Sequence, residues 1–186
     1  TPRVRTTRPY YQSSFVFLTR RQSQLQLRSW DDPRLRQLRI GVHAVGDDDS
    51  AVPPAQLLAR RGIHDNVHAY PIYGSYAQAV PARAPIDALL RGELDVVIVW
   101  GPLAGYFAQR APRELVLSVV PESDDPRLPM TFPIALGVRP EDTALREALD
   151  AILERRAHEI QALLRRHGVP LVSAAASSAA GTGAEP

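Results

Sequence analysis

Apolar and polar positions along this chain fall into short blocks. Residues 9–20, Pro-Tyr-Tyr-Gln-Ser-Ser-Phe-Val-Phe-Leu-Thr-Arg, are dense in aromatic and β-branched side chains and predict a strand. Pro9 sits at its edge, where a missing N–H is harmless. Further strands are predicted over 38–45, 66–73, 94–100, 115–120 and 130–138. The run Leu94-Asp-Val-Val-Ile-Val-Trp100 is the most apolar and predicts a central parallel strand buried on both faces. Helices are predicted over 55–61, stopped by Gly62, over 85–91, stopped by Gly92, and over 103–109. Asp31-Asp32-Pro33 predicts a capped helical turn inside the otherwise polar connection 21–32. One long helix is predicted from Pro140-Glu141-Asp142 to His167, ended by Gly168. Acids stand in its first turn, Arg165 and Arg166 in its last, and Leu145, Leu149, Ile152, Leu153, Ile160, Leu163 and Leu164 form one stripe. Strands alternating with helices predict an open α/β sheet with right-handed crossovers.

Composition narrows the chemistry. All 22 basic residues are arginine, and there is neither lysine nor cysteine. That excludes a P-loop lysine, a Schiff base, a thiolate nucleophile and Cys-ligated metal sites. A net charge of +2 does not mark a nucleic-acid binder. No apolar run reaches the ~18 residues of a membrane span. The chain opens Thr1-Pro2-Arg3 with no Met, so its first residue is not expected to be a translation start. The lack of a leader there is no argument for the cytoplasm. Residues 173–186, mostly Ala, Ser, Gly and Thr, are expected to be disordered.

Three groups of residues carry a resemblance. The first is Thr6-Thr7-Arg8-Pro9-Tyr10-Tyr11 followed by Ser13-Ser14, with Asp31-Asp32-Pro33-Arg34-Leu35 and Leu38-Arg39-Ile40-Gly41-Val42. The second is Gly46-Asp47-Asp48, Pro53-Pro54, Leu58-Ala59-Arg60-Arg61-Gly62-Ile63 and Asp65-Asn66-Val67. The third is Asp95-Val96-Val97-Ile98-Val99-Trp100-Gly101-Pro102-Leu103-Ala104-Gly105-Tyr106. Together, over residues 3–172, they resemble the MxaJ/XoxJ group of type II periplasmic binding proteins, which are associated with PQQ-dependent methanol and related alcohol dehydrogenases. The resemblance implies a two-lobed α/β fold with open, mostly parallel sheets. Residues 1–20 would be a lobe 1 remnant with the first hinge strand, 21–121 lobe 2, 122–130 the return crossing, and 131–172 the lobe 1 return strand with the long helix. The N-terminal part of lobe 1 is expected to be absent from this chain. The strand and the stripe of the long helix would then lack part of their cover.

The implied function is a non-enzymatic periplasmic accessory, with no cofactor of its own, that binds the quinoprotein dehydrogenase or aids its maturation or activation. Calcium- or lanthanide-dependent methanol dehydrogenase is the expected partner, with its cytochrome c as a second candidate. The alternative is a solute-binding protein of an ABC transporter for a small ligand. Amino acids are not the expected ligand. Amino-acid-binding relatives offer a Gly-Thr-Thr-like helix start and an Asp after the central strand. Here Asp47, Asp48 and Asp49 would repel a carboxylate, and Trp100-Gly101-Pro102 holds no acid.

The candidate cleft residues are Arg3, Tyr10, Tyr11, Ser13, Ser14, Asp47, Asp48, Trp100, Gly101, Pro102 and Tyr106. Arg3 stands near the place of the lobe 1 arginine that grips carboxylates in such relatives, at a shorter spacing to Pro9-Tyr10. Aromatics and hydroxyls suit a flat or apolar ligand, or the side of a partner protein. Tyr10 and Tyr11 read equally as hinge packing, and Trp100 as a core residue at a strand end. Asp47–Asp49 read as a helix cap in a surface loop rather than a metal site. His64 and His68 have the helical metal spacing but flank a strand start. The Arg pairs 20–21, 60–61, 155–156 and 165–166 read as solvated faces.

Overall fold

The computed structural model describes residues 3–45, 50–72 and 81–172. Asp47, Asp48, Asp49 and Tyr73, and the expectation for 173–186, lie outside the described residues. The strands are β1 (Arg5–Thr6), β2 (Tyr11–Arg20), β3 (Ile40–Val45), β4 (Ser50–Ala51), β5 (Val67–Pro71), β6 (Val96–Trp100), β7 (Leu115–Val119), β8 (Thr131–Ile134) and β9 (Gly137–Val138). The helices are α1 (Pro53–Arg60), α2 (Ala84–Arg91), α3 (Gly101–Arg110), α4 (Thr143–Arg155) and α5 (Ala157–Arg166). The predicted cap at Asp32 is present: its carboxylate accepts from Arg34 N–H at 3.0 Å, ahead of the turn Pro33–Arg36.

The main sheet runs β4-β3-β6-β2-β7, with β5 on β3 and β8 on β2. β6 is as buried as predicted, but it is not a purely parallel strand. It is parallel to β3 and antiparallel to β2. The reason is that β2 enters the sheet from the opposite end, as a crossing strand rather than a βα unit. It is the hub of the sheet, pairing β6 and β7 through its second half and β8 through its first.

Alternation along β2 feeds two cores. Phe15 and Phe17 point into one, with Leu35, Leu57, Leu58 and Met130. Val16 and Leu18 point into the other, under Ile86 and Leu89 of α2 and Ala104 of α3. The polar-looking connection 21–32 also contributes, since Leu27 and Trp30 are buried in the first core. Trp30 packs on Phe17 with ring centroids 5.2 Å apart and donates its indole N–H to Pro121 O at 2.8 Å.

Two single elements of the pattern turn out to be pairs. The predicted strand 130–138 divides at Ala135-Leu136 because it changes partner: β8 pairs β2, and β9 pairs β1. Thr7 locks the change, its N–H donating to Leu136 O at 2.9 Å and its Oγ1 accepting from Leu136 N–H at 3.0 Å. The predicted long helix breaks at Arg156, which closes α4 and opens α5 with φ −99° and ψ 9°. No proline or glycine marks the break. Nor does an acid stand in the first turn of α4; Asp142 precedes it and pairs with Arg139 at 2.9 Å. Along the stripe, Leu145, Ile152 and Leu163 are exposed.

Candidate functional site

The carboxyl ends of the parallel strands β3, β5 and β6 lie at one edge of the sheet, where open α/β sheets place their ligands. β2 begins and β7 ends at that same edge, so the chain crosses there twice. The side chain at the end of β6 is Trp100. Its ring is edge-on to Phe15 of β2 at 5.2 Å between centroids and to Phe132 of β8 at 5.6 Å. Phe15 and Phe132 are themselves 6.2 Å apart. One aromatic thus comes from each of the outgoing strand, the returning strand and the central strand. Edge-to-face pairs of this kind add about 0.5–1.5 kcal/mol each beyond their buried area. Trp100 itself remains half-buried.

The other candidates divide by location. Ser13 and Ser14 are fully buried at the start of β2, and neither hydroxyl has a full hydrogen bond. Gly101 is buried behind Trp100. A Cβ there would lie 2.7 Å from both Ser14 O and Pro170 Cγ, so the Ser14 backbone and the Pro170 ring leave no room for a side chain. Pro102 follows in the first turn of α3, half-buried. Tyr10 and Tyr11 stack at 5.1 Å and face α5 across a groove of 360 Å³ that also includes Gln161 and Arg165. Burial, then the neighbouring Tyr10, raises the Tyr11 phenol above its ordinary value. Tyr106 is exposed on the outer face of α3 under the Arg110 guanidinium, 3.5 Å from its ring centroid. Arg3 is exposed ahead of β1. The structure therefore joins Trp100, Gly101 and Ser14, sets Tyr10 and Tyr11 beside them on the α5 side, and does not bring Tyr106 to the cluster. Sequence reasoning missed Phe15 and Phe132, whose only signal was their place in strands flanking the two crossings.

A depression of 580 Å³ lies elsewhere and is built from ion pairs. Arg61 binds Asp31 and Asp124 at 3.0 Å each, and Arg60 binds Asp125. These contacts pin the return segment to α1. The Arg61 hydrogen bond holds the Asp124 carboxyl below its ordinary value. Arg20 donates to Leu89 O and Leu94 O at 2.6 Å each, and Arg21 donates to Pro112 O. Arg20 and Arg61 are thus half-buried ties rather than solvated faces, while Arg21 and Arg60 are exposed, as expected, and bonded as well.

His43 is buried on β3 with Nε2 3.1 Å from Ala82 O, and burial holds it below its ordinary value. His64 precedes β5 and His68 lies on it, so their spacing is not helical. Among the described residues, no group of three or more His, Asp or Glu side chains suits a metal ion, and no helix is long and apolar enough to cross a membrane.

The family of bacterial extracellular solute-binding proteins matches residues 2–169. Protein MoxJ of Methylorubrum extorquens is 34% identical, over 92% of this chain and 59% of that protein. Protein MoxJ of Paracoccus denitrificans is 25% identical, over 91% of this chain and 64% of that one. The chain therefore spans about three-fifths of the length of these curated relatives. The crystal structure of the periplasmic binding protein XoxJ from Methylobacterium extorquens AM1 superposes with a TM-score of 0.74 at 28% identity, over 91% of this chain and 74% of that one.

Proposed function

The chain belongs to the bacterial extracellular solute-binding proteins, and from that premise we propose that it is a non-enzymatic periplasmic accessory of a quinoprotein methanol or related alcohol dehydrogenase. Its role is to bind the dehydrogenase or aid its maturation or activation. The similarity to MoxJ and XoxJ carries this reading. The lobe division follows the same reading: 21–121 form lobe 2, 122–130 cross back, and 131–172 with 1–20 belong to lobe 1.

The candidate contact surface is the crossing edge. Half-buried Trp100 lies there, with Tyr10 and Tyr11 on the α5 side; Asp47 and Asp48 are kept as candidates from the sequence. Ser13, Ser14 and Gly101 form the wall behind. A partly exposed aromatic held rigid by two others is the kind of group that anchors protein partners. Nothing in this set offers a nucleophile with an adjacent base. Immobilised chain incubated with the purified dehydrogenase tests the reading. Retention of the dehydrogenase, weakened by Trp100→Ala, supports it; no retention refutes it.

The second reading, a transporter-linked receptor for a small ligand, draws on the family description. It predicts a thermal shift with a small molecule and no dehydrogenase binding.

A further inference from the structure

Helices α4 and α5 follow the return crossing and stand beside the start of β2. Arg8 N–H donates to Asp150 Oδ1 at 2.7 Å, and its guanidinium reaches Glu154 at 3.0 Å. They belong with the lobe 1 elements. Beyond α5, however, the chain passes back onto lobe 2. Gly168 lies against Gly105 of α3, backbone on backbone: a Cβ on Gly105 would fall on the Gly168 carbonyl group, 2.6 Å from its carbon. A Cβ on Gly168, where φ is +73°, would lie 2.8 Å from Gly105 O. One residue pair further, Pro170 closes on Gly101. Gln109, one turn along α3, donates from Nε2 to Arg166 O at 3.1 Å.

These contacts occupy three successive turns of one helix face, at positions 101, 105 and 109. Two of the three α3 residues are glycine: Gly101 opens the helix, and Gly105 stands in its interior, where glycine costs about 1 kcal/mol against alanine. Removing side chains there is what lets the strap seat at backbone distance. We propose that Gly168–Pro170 is a third connection between the lobes, a strap seated on α3 that holds them at one angle. Two antiparallel crossing strands can bend together at their shared edge, as hinged binding proteins do. A third contact displaced from that edge and close-packed on a helix opposes the rotation, because packed interfaces move between discrete states rather than deforming smoothly. The cleft would then be presented open and fixed, as a docking surface rather than a trap closing on a solute. The inference uses the lobe division proposed above but not the identity of the partner.

The absence of native cysteine makes the test direct. Spin labels on Asp65→Cys in lobe 2 and Ala148→Cys in α4, both exposed positions, report the lobe–lobe distance by double electron–electron resonance in the whole protein. The parent is expected to give one narrow distance population, and Gly105→Ala to add a second, displaced one while keeping the parental far-UV circular dichroism. A parent already spread over two populations overturns the strap, and so does a folded Gly105→Ala with the parental distribution. If Gly105→Ala does not fold, Gln109→Ala replaces it. A displaced population supports the strap; the parental distribution overturns it. Dehydrogenase binding, measured separately on the parent, keeps failure of the strap distinct from failure of the accessory reading.

Discussion

Trp100 meets Phe132 edge-on, with ring centroids 5.6 Å apart, and so joins the end of the central strand to the strand by which the chain returns. Phe15 completes the contact from the outgoing strand. The two crossings and the carboxyl edge of the sheet are thereby packed into one unit, in which Trp100 is the ring that ends a parallel strand.

Truncating that ring has two consequences. Trp100→Ala is expected to lower stability by about 2–4 kcal/mol, as the loss of a large aromatic from a packed cluster does. Trp100→Phe should cost less than half of that, because the edge-on contacts to Phe15 and Phe132 survive in part. Urea unfolding of the three proteins checks this; equal stability of Trp100→Ala and the parent would place the ring outside the packing.

Asp95 stands at the entrance to β6 and ties it to the start of β3. Arg39 approaches it through two nitrogens at 3.0 and 2.7 Å, and Arg20 at 3.7 Å. The Arg39 hydrogen bond is the main reason its carboxyl titrates below the usual range. A depressed native value means that its stabilisation is present above the unfolded value near ~3.9 and is lost as pH falls through the native one. Asp95→Asn should cost about 1–2 kcal/mol at neutral pH and nothing further in acid. Melting temperatures at pH 7 and pH 3 should therefore differ less for the variant than for the parent.

His43 predicts a second, separate pH window. It is buried neutral and titrates below its ordinary value. Stability is therefore complete above the unfolded value of ~6.5 and declines as pH falls below it, because the unfolded chain takes up a proton that the folded one refuses. His43→Gln, which keeps a side-chain donor for Ala82 O, should flatten the decline in melting temperature between pH 7.5 and pH 5.5. An unchanged slope would show that the buried imidazole does not govern it.

Much of this fold could be read from the chain because β3, β6 and β7 are short runs whose burial needs no knowledge of distant partners. The helix stops at Gly62 and Gly92 and the Asp32 cap were equally local. What could not be read depends on contacts far apart in sequence. The strand at 130–138 divides because β1 and β2 are separate partners, not because of anything in residues 135–136. The break at Arg156 carries no helix-breaking residue. Leu27 and Trp30 are isolated apolar positions in a polar run, and only the fold shows that they meet Phe17 and Pro121. For the site, Trp100 stood out as a strand-ending aromatic, whereas its partners Phe15 and Phe132 looked like ordinary strand residues. Gly105 was legible only as part of a family resemblance; its physical reason, the backbone of Gly168, lies across the molecule.

The central claim is that this chain acts by binding a quinoprotein alcohol dehydrogenase. Calorimetric titration of the chain into the dehydrogenase from the same organism tests it most directly. The account predicts saturable heat with a defined stoichiometry, reduced for Trp100→Ala under conditions where that variant is folded. Absence of heat at all concentrations, together with a clear thermal shift of the chain by a small solute, would contradict it.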